Sequence, residues 1–408
     1  MRRRLPAHVA LLLAVPLVSC DETPQPPAAL VRDSAGILIS EYAEAPGPGL
    51  PVWRLEEPER AVVGRDESLE GHALSHVVGA IRLSDGRIAI GDAQTREIRI
   101  FAEDGTLLKR AGGDGGGPGE FGRQLRSVDP LPGDSLVGGD WPVGLVSVFD
   151  AEGTFIEQRT LGQYIPGLLG HILWDGSLLV DAYERGSYGN EIEVWAAFGT
   201  EPRFRPSGKV VRVTLDGQVD TLRDITGPAF FKTGTPRQNL ISRPLPFSST
   251  TLVAWSPTRL FLTETGSREV QILTFDGTVE RLIRWQGEDH PVTAEDRSRH
   301  RDGLLTGLRR SQQRPGLERW LAEVEYPALK PPVLALAVDR SGRLWVREWS
   351  AEAGPFDRWI VVLPDGTVAA LAQVPAGLDL LDLGEDYALA RYTSDLDVEE
   401  VRLYTLQK

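Results

Sequence analysis

Acidic side chains recur in this sequence at the ends of short apolar runs, where they could bind a cation or a basic ligand. The residues that end the second strand of successive predicted hairpin units are Asp92, Asp140, Ala182, Glu264, Glu348 and Arg391, with Asp181 beside the alanine. If they line the upper rim of one channel, the carboxylates could hold a divalent cation such as calcium. Alternatively, each carboxylate caps N–H groups of the loop that follows it. Asp92, Asp140, Glu264, Glu348 and Arg391 are therefore the candidate ligand-binding residues.

The motifs that usually carry metal or nucleophilic chemistry are missing. His72 and His76 are four residues apart, but Ala73 follows His72, so this is not an H-E-x-x-H motif. The stretch leads into a strand, where such spacing separates the rings by about 13 Å, too far to share one ion. The chain has no G-x-S-x-G elbow, Walker loop or EF-hand loop, and its single cysteine cannot form a cysteine-ligated cluster. No catalytic residue is predicted, and calcium is the one cofactor that the acidic residues would suit.

A glycine-rich stretch offers a second chemical possibility, because residues 117–122 match G-x-G-x-x-G. A phosphate cradle needs a strand entering the glycines and a helix leaving them. Here a strand enters, but the segment that leaves contains Pro130 and Pro132 and has no helical pattern. We interpret the stretch as a crossing between two sheets, with Phe121 filling the gap between them.

The elements that must position these residues are hairpins. Five acidic-glycine turns lie between alternating apolar runs, namely at Gly105, Gly153, Gly217, Gly277 and Gly366. Glycine supplies the positive φ that such turns need. A second series of six turns precedes them, at Gly86, Gly133, Gly176, Pro257, Gly342 and Gly384. Two hairpins per unit predict an all-β, six-bladed β-propeller of four-stranded antiparallel blades.

The sixth unit lacks an outer turn, so its outermost strand must come from elsewhere. We expect an N-terminal strand, either residues 36–42 or residues 51–55, to supply it and close the ring. The alternative is a degenerate seventh blade in the N-terminal segment.

Loops of unequal length predict which face of the ring binds. In a four-stranded blade both hairpin turns lie on one face, and the longer connections lie on the other. The glycine-rich junction, the loop of residues 226–246 and a helical insertion at about 291–326 therefore rise from one face. Long loops on a rigid scaffold are the usual home of binding. In the insertion, Thr293 is the expected N-cap, and we expect its helices to pack on the ring rather than on a membrane.

The N-terminus predicts export. Residues 1–19 combine three arginines with a short apolar run, and Ser19-Cys20 is similar to the lipobox of bacterial lipoproteins. Cys20, the single cysteine, is the expected lipidation site, and residues 20–35 form a proline-rich tether to a propeller of residues 36–408. This predicts a lipid-anchored protein in the periplasm or at the cell surface. Removing the signal peptide lowers the net charge from −14 to about −17, which argues against nucleic-acid partners.

The stretch from Gly113 to Phe121, with the preceding runs at 86–92 and 98–101, resembles the junction signature of NHL-type repeats. Most of the chain from about Val31 resembles bacterial six-bladed β-propeller lipoproteins, although the later junctions depart from the signature. The resemblance implies the fold but not one activity. We expect a monomeric binding or scaffold module for a protein, peptide or carbohydrate ligand. The alternative is a hydrolase or lyase that uses an acidic channel rim and a divalent cation.

Overall fold

A computed structural model describes residues 29–47, 49–140, 144–160, 169–183, 201–235, 238–306, 314–350 and 354–408. The predicted signal peptide (residues 1–19) and Cys20 lie outside these ranges. Most of the described chain is β-structure, and two helices lie inside the predicted insertion. None of the helices in these ranges is long and apolar enough to pass through a membrane.

The described chain contains 30 strands and two α-helices. Those of the first half are β1 (Leu30–Ser34), β2 (Ile37–Tyr42), β3 (Val52–Leu55), β4 (Ala61–Val63), β5 (Val77–Arg82), β6 (Ile88–Asp92), β7 (Glu97–Phe101), β8 (Leu107–Gly112), β9 (Leu125–Pro130), β10 (Leu136–Asp140), β11 (Leu145–Phe149), β12 (Phe155–Thr160), β13 (Leu169–Ile172), β14 (Leu178–Tyr183) and β15 (Arg203–Phe204). Those of the second half are β16 (Ser207–Val213), β17 (Val219–Thr226), β18 (Phe230–Thr235), β19 (Gln238–Pro244), β20 (Thr251–Trp255), β21 (Leu260–Glu264), β22 (Glu269–Leu273), β23 (Val279–Trp285), β24 (Val333–Val338), β25 (Leu344–Glu348), β26 (Phe356–Val362), β27 (Val368–Pro375), β28 (Leu378–Leu383), β29 (Tyr387–Thr393) and β30 (Glu399–Gln407). The helices are α1 (Ala294–Thr306) and α2 (Arg314–Glu323).

These strands form several four-stranded antiparallel sheets in chain order. Sheet 1 is β5-β6-β7-β8, sheet 2 is β9-β10-β11-β12, and sheet 3 is β13-β14-β16-β17. The same pattern underlies sheet 4 (β20 to β23) and sheet 5 (β24 to β27), and β28-β29-β30 make sheet 6. The turn glycines expected at positive φ have it, for example Gly105 (87°) and Gly366 (84°). Local turn chemistry therefore produces the hairpins that the sequence predicts.

The first strand of each of sheets 1 to 6 faces one shared cavity. Residues of β5, β9, β13, β20, β24 and β28 line a space of about 390 Å³, and β28 contacts β5, the first strand of sheet 1. Sheets that surround a common axis with their first strands innermost make a β-propeller. The hydrophobic core lies between adjacent sheets rather than on the axis.

An N-terminal strand does pair with the last sheet, but it is mainly a later segment than the two that we named. The strand that lies outside β30 is β4, which pairs antiparallel with it. Strand β2 instead pairs parallel with β23 of sheet 4. Strand β3 pairs parallel with β27 of sheet 5 and touches the end of β30. The prediction of residues 36–42 as the outer strand of the last sheet was wrong, because they add to the free edge of sheet 4. Residues 51–55 reach the last sheet only at its end, where Arg54 and Leu55 pair antiparallel with Gln407 and Leu406, and otherwise they add to sheet 5.

Phe121 occupies the gap between sheets 1 and 2, as predicted. Its side chain is fully buried in a cluster that includes Ile98 of sheet 1 and Phe149 of sheet 2. Gly112 and Gly138 lie against its ring, where a Cβ on either residue would come within 2.5 Å of a ring carbon. The glycines of this junction therefore make room for an aromatic plug.

The two long insertions form a small unit of their own. Strands β15, β18 and β19 make a three-stranded sheet, and α2 packs on β18 and β19. Trp320 of α2 is fully buried, and its Nε1–H donates to the Phe231 carbonyl at 2.7 Å. Thr293 caps α1 as predicted, because its Oγ1 accepts the Asp296 N–H at 3.2 Å. We call this unit of β15, β18, β19, α1 and α2 the insertion unit.

Candidate functional site

Asp92 and Asp140, two of the predicted rim residues, are buried and cap loops. The Asp92 carboxylate accepts the N–H groups of Ser75 and Thr95, each at 3.0 Å. Asp140 accepts the N–H groups of Arg123 and Gln124 at 3.1 and 2.9 Å. In both cases the carboxylate fixes the loop that enters the first strand of its own sheet.

Glu264, Glu348 and Arg391 are also engaged locally. Glu264 pairs with Arg205, and Glu348 accepts the Trp285 Nε1–H at 2.7 Å. Arg391 donates to the Val77 carbonyl at 2.8 Å and pairs with Asp379 at 2.7 Å. These three side chains therefore tie neighbouring elements together.

The five predicted residues do not meet around one centre. Within the described ranges, no hydrogen bond or ion pair joins any of Asp92, Asp140, Glu264, Glu348 and Arg391 to another of them. The same ranges hold no group of three or more His, Cys, Asp or Glu side chains arranged to bind a metal ion. His72, the other motif considered, is satisfied internally, since its Nδ1 accepts the Gly64 N–H and its Nε2 bonds the Gly105 carbonyl.

A cleft on the loop-rich face contains one of the five, Glu348. The cleft has a volume of about 620 Å³ and lies between sheets 4 and 5. Its lining includes basic, acidic and aromatic side chains, namely those of Arg268, His290, Glu348, Trp349, Phe356 and Arg358. The volume lies within the range of about 300–1,000 Å³ that is typical of ligand pockets.

Aromatic and basic groups converge at one wall of this cleft. The rings of His290 and Trp349 lie 4.2 Å apart, and the Lys330 ammonium sits 4.0 Å from the Trp349 ring centroid. Lys330 is held from behind by Asp296 at 2.7 Å. Burial alone would raise the pKa of Asp296, but hydrogen bonds from Lys330 and Thr293 hold it at about 2. The first turn of α1 in the insertion unit thus fixes a cation against the cleft tryptophan.

Other residues that line the cleft are partly exposed. Phe356 is 45% exposed, although it is a large apolar residue. The Arg358 guanidinium lies 3.6 Å from Glu348 and donates to the Pro46 carbonyl of the segment between β2 and β3. The segment between β2 and β3 therefore helps to shape the cleft. The sequence did not predict this, because its strands were expected to extend the last sheet.

The central cavity contains charged pairs that the sequence analysis missed. His171 Nδ1 donates to Asp129 Oδ1 at 3.1 Å, and the His171 ring lies 4.2 Å from the Trp255 ring. Across the cavity, Arg340 binds Asp382 in a bidentate pair at 2.6 and 3.0 Å. These residues lie where the first strands approach the hairpin-turn face, opposite the loop-rich face on which we had placed the rim.

A register signal could have found this set. In each sheet, a residue after the first strand donates its N–H to close the first hairpin. Asp129, His171 and Asp382 lie two positions before that residue in sheets 2, 3 and 6. In the other three sheets the same position holds an apolar residue, namely Ile81, Ala254 or Ala337. A polar residue at this position therefore departs from the repeat. Two of these three residues also join neighbouring sheets, because Asp129 accepts the Ile172 N–H and Asp382 accepts the Arg82 N–H.

The electrostatics of the cavity favour a charged imidazole. Desolvation alone would lower the pKa of His171, but the charge and hydrogen bond of Asp129, with a smaller contribution from Asp181, raise it above its usual value. Burial in turn raises the pKa of Asp181.

Comparisons with known proteins show similarity of shape at low sequence identity. No family model and no curated protein matches the chain. Among solved structures, a protein of Bacteroides fragilis named as exported is 13% identical, with 91% of this chain and 100% of that chain covered and a TM-score of 0.45. A gluconolactonase of Xanthomonas campestris is 13% identical over 88% and 98% of the two chains, with a TM-score of 0.42. A virginiamycin B lyase of Staphylococcus aureus is 10% identical over 86% and 99%, with a TM-score of 0.38. At these values the likenesses support no conclusion about ligand or activity.

Proposed function

We propose that the chain is an exported, lipid-anchored binding module built on a six-bladed, NHL-like β-propeller, and that it binds a peptide segment of a partner protein in the cleft of the loop-rich face. The lipobox-like sequence at Cys20 supports the anchor, and the tether after it would present the ring away from the membrane. The six inner hairpin turns and the N-terminal closing strand β4 support the blade number.

The observation that carries the binding proposal is the chemistry of the cleft. Tryptophan, phenylalanine and arginine side chains line it together, and these residue types are enriched at protein interfaces. Phe356 offers an exposed apolar anchor, and His290 with Trp349 offers a flat aromatic surface. Glu348, Asp357 and Arg358 add both signs of charge, which suits the backbone and side chains of a peptide better than a ligand of one charge.

The alternative, a hydrolase or lyase with a divalent cation at an acidic rim, has less support. The carboxylate oxygens of Asp92 and Asp140 already accept backbone N–H groups, and Glu264 and Glu348 are paired with an arginine and a tryptophan. Calcium would have to share these carboxylates with their present partners, and within the described residues no three acidic or histidine side chains are arranged to hold a metal ion.

Selection from a phage-displayed library of random peptides tests the proposal. We expect the purified protein to enrich a family of related peptides whose binding falls at least about tenfold in Phe356→Ala and in Arg358→Gln. Leu108→Ala, which truncates an exposed apolar residue on the outer strand of sheet 1, is the matched control and should bind normally. Enrichment of no common motif, or equal binding by Phe356→Ala and wild type, would contradict it.

A further inference from the structure

The central cavity has the features of a second binding site, on the face opposite the cleft. Its volume is about 390 Å³, and its lining includes two tryptophans, Trp174 and Trp255, on neighbouring sheets. Trp174 is 37% exposed, although it is among the largest apolar side chains of the protein. The tryptophan stands on the first hairpin turn of sheet 3, at the mouth of the cavity.

The polar groups of the cavity are arranged as neutral pairs. Asp129 is matched by His171 and Asp382 by Arg340, while Asp339 is satisfied by Arg343 and the Trp345 Nε1–H. A cavity lined by opposite charges in pairs gives little net attraction to an anion or a cation. It does present hydrogen-bond donors beside acceptors. His171 and Arg340 are the donors, and the carboxylates of Asp129 and Asp382 are the acceptors.

We propose that the central cavity binds a neutral sugar. A sugar ring has an apolar face of C–H groups that can pack on the flat, amphipathic tryptophan rings. Its hydroxyl groups are both donors and acceptors, and they match adjacent carboxylate, imidazole and guanidinium groups. His171 is the central contact, because its ring is 44% exposed while Asp129 behind it is only 8% exposed and fixes the orientation of the ring. With Nδ1–H donated to Asp129, Nε2 is the nitrogen left for the ligand.

This site stands independently of the peptide cleft, because the two cavities share no residue. Either proposal can fail without the other. Variants of Trp174 and of Phe356 therefore serve as controls for each other.

Isothermal titration of the full chain, in a detergent without a sugar headgroup, tests the proposal. The probes are glucose, galactose, N-acetylglucosamine, maltose and cellobiose, with gluconate and glucosamine as charged analogues. We expect saturable binding of at least one neutral sugar, weaker binding of its charged analogue, and quenching of tryptophan fluorescence. Trp174→Ala and His171→Gln should each weaken binding at least about tenfold, Trp174→Ala without lowering Tm, whereas Phe356→Ala should not change the affinity.

Three outcomes would overturn the proposal. The first is that none of the neutral sugars binds saturably at millimolar concentration. The second is that gluconate or glucosamine binds more tightly than the neutral sugars. The third is that Phe356→Ala abolishes binding while Trp174→Ala, with an unchanged melting curve, retains it.

Discussion

The carboxylate of Asp382 accepts the backbone N–H of Arg82 at 2.8 Å, across a separation of 300 residues. The contact joins the innermost strand of sheet 6 to the innermost strand of sheet 1. The same carboxylate accepts the Tyr387 hydroxyl and pairs with Arg340, so one side chain holds three elements at the point where the ring meets itself.

We expect Asp382→Ala to lower the free energy of unfolding by about 1–3 kcal/mol, because the Arg82 N–H and the Tyr387 hydroxyl both lose their acceptor. Asp382→Asn keeps one acceptor oxygen and should cost less. Urea unfolding followed by tryptophan fluorescence measures both. Asp395→Ala, at an exposed loop, is the control, and equal midpoints for Asp382→Ala and wild type would show that this contact does not stabilise the ring.

Stability should depend on the protonation of His171. Asp129 raises the pKa of this histidine, with Asp181 contributing and Trp255 covering the ring. A histidine whose folded pKa exceeds its unfolded value stabilises the fold at low pH, and this contribution is lost as pH rises through the folded pKa. The Tm difference between wild type and His171→Gln should therefore be larger near about pH 5.5 than near about pH 8. A difference that grows with pH would mean that His171 is stabilised in its neutral form.

Gly64 should tolerate no side chain. It has φ of 104°, and a Cβ there would lie 2.4 Å from the Glu399 carbonyl oxygen at the start of β30. Gly64→Ala combines the strain of the left-handed conformation, about 1–2 kcal/mol, with this clash. Gly36→Ala is the matched control, since Gly36 has φ of 86° but no atom within 4 Å of the same position. Thermal melts should show a clearly larger loss of Tm for Gly64→Ala, and equal losses would mean that β30 moves away at little cost.

Trp320 should hold the insertion unit together without holding the propeller. Trp320→Ala removes a fully buried ring and the hydrogen bond to Phe231, a loss of about 3–5 kcal/mol of local stability. Hydrogen exchange should accelerate in β18, β19 and α2 while β6 and β25 stay protected. Faster exchange in all sheets at once would show instead that the unit and the ring unfold together.

The hairpins could be predicted because their determinants are local. Asp104-Gly105 and Asp365-Gly366 specify a turn within a few residues, and alternation on either side specifies the two strands. The pairing of the N-terminal strands has no such signal. Strand β2 pairs with β23 about 240 residues away and in parallel, so that only the structure shows which edge is free.

The candidate site could be predicted only in part for a related reason. Glu348 was found from its register, and it does lie on a ligand-sized cleft. The side chains around it come from the β2–β3 connection, the segment before α1 and the start of β26, which have no common period. Asp92 and Asp140 have the same register as Glu348, yet the segments that enter their sheets donate N–H groups to these carboxylates. Whether a strand-end acid caps a loop or lines a cleft therefore depends on the path of the segments that surround it.

The N-terminal strands also impose an order on assembly. Strands β2, β3 and β4 are made early, but their partners β23, β27 and β30 are made late. Contacts of such long sequence separation form slowly, because the chain must lose the entropy of closing a large loop before the contact contributes any stabilising free energy. Residues 37–63 therefore cannot be placed until three later sheets exist. In a chain that emerges from its amino end, the ring locks only after Gln407 has appeared, and residues 37–63 are the last to become fixed.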